Sequence, residues 1–211
     1  MKLFIFDLDG TLVNDMEFYK KAYSENLNKL VHKRAGDKGL KILNLVRQSN
    51  KNRGELALLV FDIPFSDWFD AVSDDDLSLI VPKPELVKSI ENIDGIKVVF
   101  TGSSKALAEK ILVRVGFDLN TFAEIIAFEK PAAIPVKLAT DTIVFKYLLD
   151  EYNILPKDTF AIGDDYETDL LPAEMLGIHA IEVRRKSGMA KHFIANILDL
   201  PQYLKENFEN T

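Results

Sequence analysis

The chain has 211 residues, 47% of them hydrophobic and 10% aromatic, enough to bury a full core in one domain with room for a smaller subdomain. Its formal net charge of -7 argues against a nucleic-acid polymer as partner, since that binding draws on clustered Lys and Arg, and leaves small phosphorylated ligands open. The chain has no cysteine, which excludes disulfides, thiol chemistry and zinc thiolate sites, and no apolar run reaches the ~18 residues of a membrane helix, so no membrane partner and a cytoplasmic location are expected.

Leu3 to Phe6 is short, apolar and rich in strand formers, which suits a strand buried on both faces of a parallel sheet. It stops at Asp7 and Asp9. Side chains alternate along an extended chain, so these two carboxylates project to the same side of the strand end. Such a pair repels unless one member holds a proton or a cation sits between them, and paired acids with divided roles run acid/base or nucleophilic chemistry. Gly10 permits a sharp turn or a close approach to a ligand, and Thr11 adds a hydroxyl. Taken alone, the same residues also read as a plain strand end, because acids are common in turns.

From Asp15 to about Ile80 the spacing turns helical: Phe18, Ala22, Leu27 and Leu30 recur every three to five residues. Breaks at Gly36, Gly39, Gly54, Pro64 and the Ser73 to Asp76 cluster predict four or five helices and no strand. Phe61, Phe65, Trp68 and Phe69 have the form of a stacking platform, but aromatics at helical spacing in a small bundle are more often its core.

From Pro82 onward strands and helices alternate. The pattern predicts helices over 86–93, 104–115, 140–152, 170–176 and 198–208, and strands over 96–100, 124–127, 159–162 and 178–183. With the first strand this makes an α/β fold, a doubly wound parallel sheet with a small helical subdomain. The expected division is a core domain of 1–14 and 82–211 and a helical subdomain of 15–81. In such sheets ligands bind beyond the carboxyl ends of the strands, and the polar clusters fall there.

Thr101, Gly102, Ser103 and Ser104 follow the second strand and precede a helix, where hydroxyls and free backbone donors suit a phosphate oxygen, although Ser or Thr before a helix is also the commonest cap. Gly163-Asp164-Asp165-Tyr166-Glu167-Thr168-Asp169 forms an acidic loop after the fourth strand. Clustered aspartates with no His or Cys beside them specify a hard cation bound through oxygen, Mg²⁺ before Zn²⁺. His32, His179 and His192 fall in the helical insertion, in a strand and in the C-terminal region, apart from these clusters.

Phe6-Asp7-Leu8-Asp9-Gly10-Thr11-Leu12 resembles the first motif of the haloacid dehalogenase-like (HAD) phosphohydrolases, and the acidic loop resembles their fourth. Thr101 matches the second motif. The resemblance implies a HAD-like core with a helical cap inserted after the first strand, lying as a lid over the strand ends. It makes Asp7 the nucleophile and Asp9 the acid/base. Thr101 and Gly102 become phosphate-binding residues, and the Mg²⁺ ligands are Asp7, the Asp9 backbone carbonyl and Asp164.

The family also supplies a phosphate-binding lysine after the third strand. Lys137, 27 residues before Asp164, is favoured over Lys130, which lies 34 before it but has the Lys-Pro form often found there. Phe128-Glu129 followed by Pro135-Val136-Lys137 is similar to the pyrimidine nucleotidase branch, and phosphoglycolate phosphatases are also within the resemblance. Asp169 is either an outer ligand of the metal site or the N-cap of the next helix, and Asp165 stands where many relatives have a small polar residue.

The activity so implied is Mg²⁺-dependent hydrolysis of a small phosphate monoester, such as a nucleoside monophosphate, through an aspartyl phosphate. The partner would be that ester, and the protein a monomer or dimer. Relatives that cleave carbon-halogen bonds lack the second acid, so Asp9 points to phosphoryl transfer. A sugar phosphomutase on the same fold, or a binding protein without turnover, are the alternatives.

Overall fold

All four side chains of β1 (Leu3–Phe6) are buried, as expected of a strand with neighbours on both sides. The computed structural model describes residues 1–49, 54–73, 77–129, 137, 142–184 and 186–208. In it β1 lies between β2 (Ile96–Ser104) and β4 (Thr159–Gly163). With β3 (Glu124–Phe128), β5 (His179–Val183) and β6 (His192–Ile194) they form a six-stranded parallel sheet in the order β3-β2-β1-β4-β5-β6. Leu3 to Phe6 face Ile96 to Val99 on one side and Thr159 to Ile162 on the other. Alternation sends Leu3 and Ile5 into an apolar cluster with Val98, Phe100, Phe145 and Leu148. Phe4 stacks instead on Phe160, ring centroids 5.1 Å apart.

Among the described residues the α-helices are α1 (Met16–Phe18), α2 (Asn26–Ser49), α3 (Ala57–Val60) and α4 (Phe65–Ser73), then α5 (Pro84–Glu91) and α6 (Lys105–Val115), and finally α7 (Ile143–Tyr152), α8 (Leu171–Glu174) and α9 (Leu200–Phe208). Contacts divide the chain into two compact units. One comprises Met1–Asn14, Pro82–Phe128 and Pro135–Thr211 and carries the sheet; the other comprises Asp15–Val81 and Glu129–Ile134.

Within the second unit, Gly36 (φ 59°) interrupts the helical path of α2. Tyr23 meets Trp68 edge to face at 5.6 Å, Trp68 stacks on Phe69 at 5.3 Å, and the indole Nε1 donates to the Tyr23 carbonyl at 3.1 Å. Phe65, Trp68 and Phe69 are therefore packed as this unit's core, while Phe61 is half-buried.

The structure departs from the sequence pattern at several ends. A sixth strand, β6, has only three residues, too few for any period to register. β2 runs on through Thr101 to Ser104, because β3 pairs Phe128 with Ser104 beyond an irregularity in register. Ser104 then caps α6, its Oγ accepting from the Leu107 N–H at 3.4 Å. Tyr166–Leu170 winds as a π-helix before α8, and α7 starts at Ile143; positions 140 and 141 of the expected helix lie outside the described residues.

Candidate active site

The chain builds outward from β1 through β2 to β3 and then returns across the sheet to β4, so the strand order reverses at β1. A crevice beyond the carboxyl ends is expected at that reversal. Asp7 stands there, its N–H donating to the Ile162 carbonyl at 2.9 Å. The chain then closes a tight loop in which Gly10 N–H donates to Val13 O at 2.7 Å and Val13 N–H to Leu8 O at 2.9 Å. Gly10 is required twice over: its φ is +99°, and a Cβ on it would lie 2.4 Å from an Asp164 carboxylate oxygen. Arg184, in the left-handed region (φ 65°) just past β5, donates from its guanidinium to the carbonyls of Gly10 and Thr11 and ties this loop to the end of β5, two strands away.

Lys137 Nζ lies 2.8 Å from Asp7 Oδ1 and 2.8 Å from Asp169 Oδ1, and all three side chains are buried. Its ammonium also lies 4.9 Å from the centroid of the Phe100 ring. Gly163 makes room for Asp169, since a Cβ there would fall 2.3 Å from the Asp169 Cβ. The second Asp169 oxygen accepts from the Asp165 N–H at 3.0 Å. Asp165 itself does the capping, accepting from the Glu167 and Thr168 N–H groups at 3.0 and 3.2 Å. Of the two roles left open for Asp169, the N-cap belongs to Asp165, and Asp169 holds the lysine.

Burial, joined by the nearby Asp169, Asp164 and Asp9, holds the Asp7 carboxyl well above the usual carboxylate range, against the opposing pull of Lys137. Burial pulls Lys137 downward, but Asp169 and Asp7 outweigh it and raise the ammonium above its ordinary value. Asp7, Asp164 and Asp169 each offer an oxygen within 4.8 Å of the others. Asp7 Oδ2 is buried without a hydrogen-bond partner among the described residues. An orphaned carboxylate oxygen on one member of a group of three acids fits a hard divalent cation.

The Asp9 carboxylate is turned elsewhere. Its Oδ2 accepts from Ser103 Oγ at 2.6 Å and from Thr101 Oγ1 at 3.2 Å, while Thr101 Oγ1 in turn accepts from the Ser103 N–H at 3.1 Å.

The structure therefore gathers Asp7, Asp9, Thr101, Lys137 and Asp164 at the strand ends. Gly102 lies beside the lysine, where a Cβ on it would sit 3.7 Å from the Lys137 Cβ. Lys130 lies outside the described residues. Two residues of this neighbourhood escape a reading of the sequence alone. Ser103 looks there like part of a cap, although its place two residues past Thr101 in a run of hydroxyls is a signal. For Arg184 the signal is a cation at a strand's carboxyl end.

Three solved structures similar to this one cover nearly the whole chain. A predicted phosphatase from Clostridium acetobutylicum is 18% identical with a TM-score of 0.67, over 97% of this chain and 98% of that one. A predicted phosphoglycolate phosphatase from Haemophilus somnus 129pt is 19% identical with a TM-score of 0.65, over 96% and 97%. A 2-haloacid dehalogenase from Pseudomonas syringae pv. Tomato DC3000 is 17% identical with a TM-score of 0.60, over 98% and 99%. At these identities the likeness shows a shared fold, and the fold hosts both phosphatases and dehalogenases. No curated protein matches the chain by sequence. The model of the haloacid dehalogenase-like hydrolases matches residues 1–177, and the chain belongs to that family.

Proposed function

We propose that the protein hydrolyses a small phosphate monoester, with Asp7 as nucleophile and Asp9 as general acid and then general base. The hydroxyl grip on Asp9 carries this reading. A second carboxylate two residues from the nucleophile, held by two donors, has the placement of a proton-transfer group, which carbon-halogen cleavage in this family does without.

Asp7 attacks phosphorus and forms an aspartyl phosphate, while Asp9 protonates the departing alcohol oxygen. Asp9 then takes a proton from the water that opens the intermediate. Lys137 spends two of its three N–H bonds on Asp7 and Asp169, which aims the ammonium and leaves the third for a phosphoryl oxygen. Thr101 and the Gly102 N–H are the candidate donors to the remaining oxygens. Mg²⁺, held by Asp7, Asp164 and the Asp9 carbonyl, would offset phosphoryl charge. Residues 15–81, as a helical cap, would discriminate among leaving groups, because the strand-end residues deal only with the phosphoryl group.

The test is release of inorganic phosphate from a panel containing p-nitrophenyl phosphate, pyrimidine nucleoside monophosphates, sugar phosphates and phosphoglycolate, with Mg²⁺ and with chelator, beside 2-chloropropionate. Phosphate release that needs Mg²⁺ is expected. Halide release without phosphate release would overturn the proposal.

A further inference from the structure

We infer that Ser103 is a positioning residue for Asp9, freeing Thr101 to serve the phosphoryl group; this deepens the phosphatase reading and rests on it. Thr101 has one hydroxyl proton. In the structure that proton goes to Asp9 Oδ2 across 3.2 Å, and the Thr101 oxygen is pinned from behind by the Ser103 N–H at 3.1 Å. A hydroxyl fixed in place by an N–H can still rotate its proton, so Thr101 can give it either to Asp9 or to a phosphoryl oxygen, not to both.

The Ser103 hydroxyl removes the conflict. Its bond to the same Asp9 oxygen is 2.6 Å, much shorter than the 3.2 Å one from Thr101. Ser103 is 2% exposed, so solvent cannot readily take over its part. When Thr101 turns toward substrate, Ser103 continues to hold Asp9.

The position of both hydroxyls follows from the path of β2. The strand does not turn at Phe100 but continues extended to Ser104, and Phe128 of β3 pairs with Ser104 beyond the register irregularity. Alternation along that extended stretch brings residues 101 and 103 to the same side, the side of Asp9, with Gly102 turned to Lys137. Had α6 begun at Thr101, neither hydroxyl would have this placement.

The consequence is specific to leaving groups. A group that orients the general acid matters most when the departing oxygen needs a proton. An alkoxide needs one, whereas a dinitrophenolate departs without it. The experiment compares kcat/KM of wild type, Ser103→Ala and Ser103→Thr on 2,4-dinitrophenyl phosphate and on whichever alkyl phosphate of the panel is turned over fastest.

Ser103→Ala is expected to lose roughly tenfold to hundredfold more on the alkyl ester than on the aryl ester, the cost of leaving one part-buried acceptor without its donor. Ser103→Thr, which keeps the hydroxyl, should recover most of the difference; if it fails to fold, the alanine comparison decides alone. Equal losses on both esters would overturn the assignment and leave the phosphatase reading standing. Wild type that hydrolyses only the aryl ester would overturn it too, since Asp9 would then donate no proton. Wild type inert on every ester would overturn the phosphatase reading itself, and this assignment with it.

Discussion

The two units bury different kinds of side chain. In the helical one, Phe18, Val31, Leu43, Leu58 and Phe65 fill the interior. Its buried polar residue among those described is Asn26, which donates to the Ala22 and Ala71 carbonyls at 2.8 and 3.2 Å. The sheet-bearing unit buries Asp7, Lys97, Lys137, Asp169 and Glu182 beside its apolar core. Helices satisfy their own backbone and give an interior little to pair a charge with, whereas the ends of parallel strands set free amides, carbonyls and acids side by side. Of the sheet-bearing unit's buried charged residues, Asp7, Lys137 and Asp169 meet at the strand ends, whereas Lys97 bonds to the Gly95 carbonyl and Glu182 to the Ser187 N–H; among its described residues the helical unit buries no charge. Substitutions in one unit should cost turnover, and substitutions in the other should cost stability.

Asp7→Asn should show the largest effect, a fall in turnover of roughly a thousandfold or more, because the amide keeps the shape but cannot act as nucleophile. Stability should move the other way. The folded protein holds the Asp7 carboxyl above its unfolded value, so stability present while Asp7 is protonated is lost as pH rises through the raised pKa. Melting in chelator should thus show wild type falling behind Asp7→Asn as pH rises toward neutral. A variant that melts below wild type at neutral pH would break the comparison.

Lys137→Ala comes next, costing about 3 kcal/mol in kcat/KM, with little change for Lys130→Ala. The reverse order would transfer the phosphate-binding role to Lys130. Trp68→Ala should lose on the order of 3 kcal/mol of stability through its cavity and the lost bond to Tyr23, yet keep Mg²⁺-dependent hydrolysis of an aryl phosphate below its melting temperature. Wild-type melting with lost turnover would show chemistry in the helical unit after all.

The smallest effect concerns His192, whose ring lies 5.0 Å from that of Phe208 in α9 and whose Nδ1 is 2.9 Å from the Tyr203 hydroxyl. Burial first, then Lys191 and His179, lowers its pKa from 6.5, with Glu174 opposing. The neutral ring is the one the fold favours, so its contribution is fully present above 6.5 and is lost as pH falls below that through the lowered value of the folded state. His192→Gln should flatten this part of the melting profile, and an unchanged profile would refute the assignment.

The alternation of strands and helices, and the acids and hydroxyls at strand ends, were legible because each is a local pattern. β1 and β4 are continuous apolar runs cut off by acids, and Phe65, Trp68 and Phe69 keep helical spacing. What stayed hidden depends on residues distant in sequence. Ser103 acquires its meaning from Asp9, Arg184 from the carbonyls of Gly10 and Thr11, and Asp169 from a lysine 32 positions earlier. The extension of β2 beyond Phe100 likewise comes from pairing with β3, against a local sequence that favours a turn.

The central place of β1 also governs when the site can exist. Leu3 pairs with Ile96 on one side and with Thr159 on the other, so the strand that leads to Asp7 waits for a partner some 150 residues further along the chain. At ordinary ribosomal speeds that interval is on the order of ten seconds, during which Leu3 to Phe6 is an apolar, β-prone segment without its second edge. Assembly of the carboxylate cluster is then among the last events of folding. Conditions that slow or truncate synthesis before β4 should leave a chain prone to aggregation and without the cluster of acids, since Asp164 and Asp169 arrive with the strand that completes the sheet around Asp7.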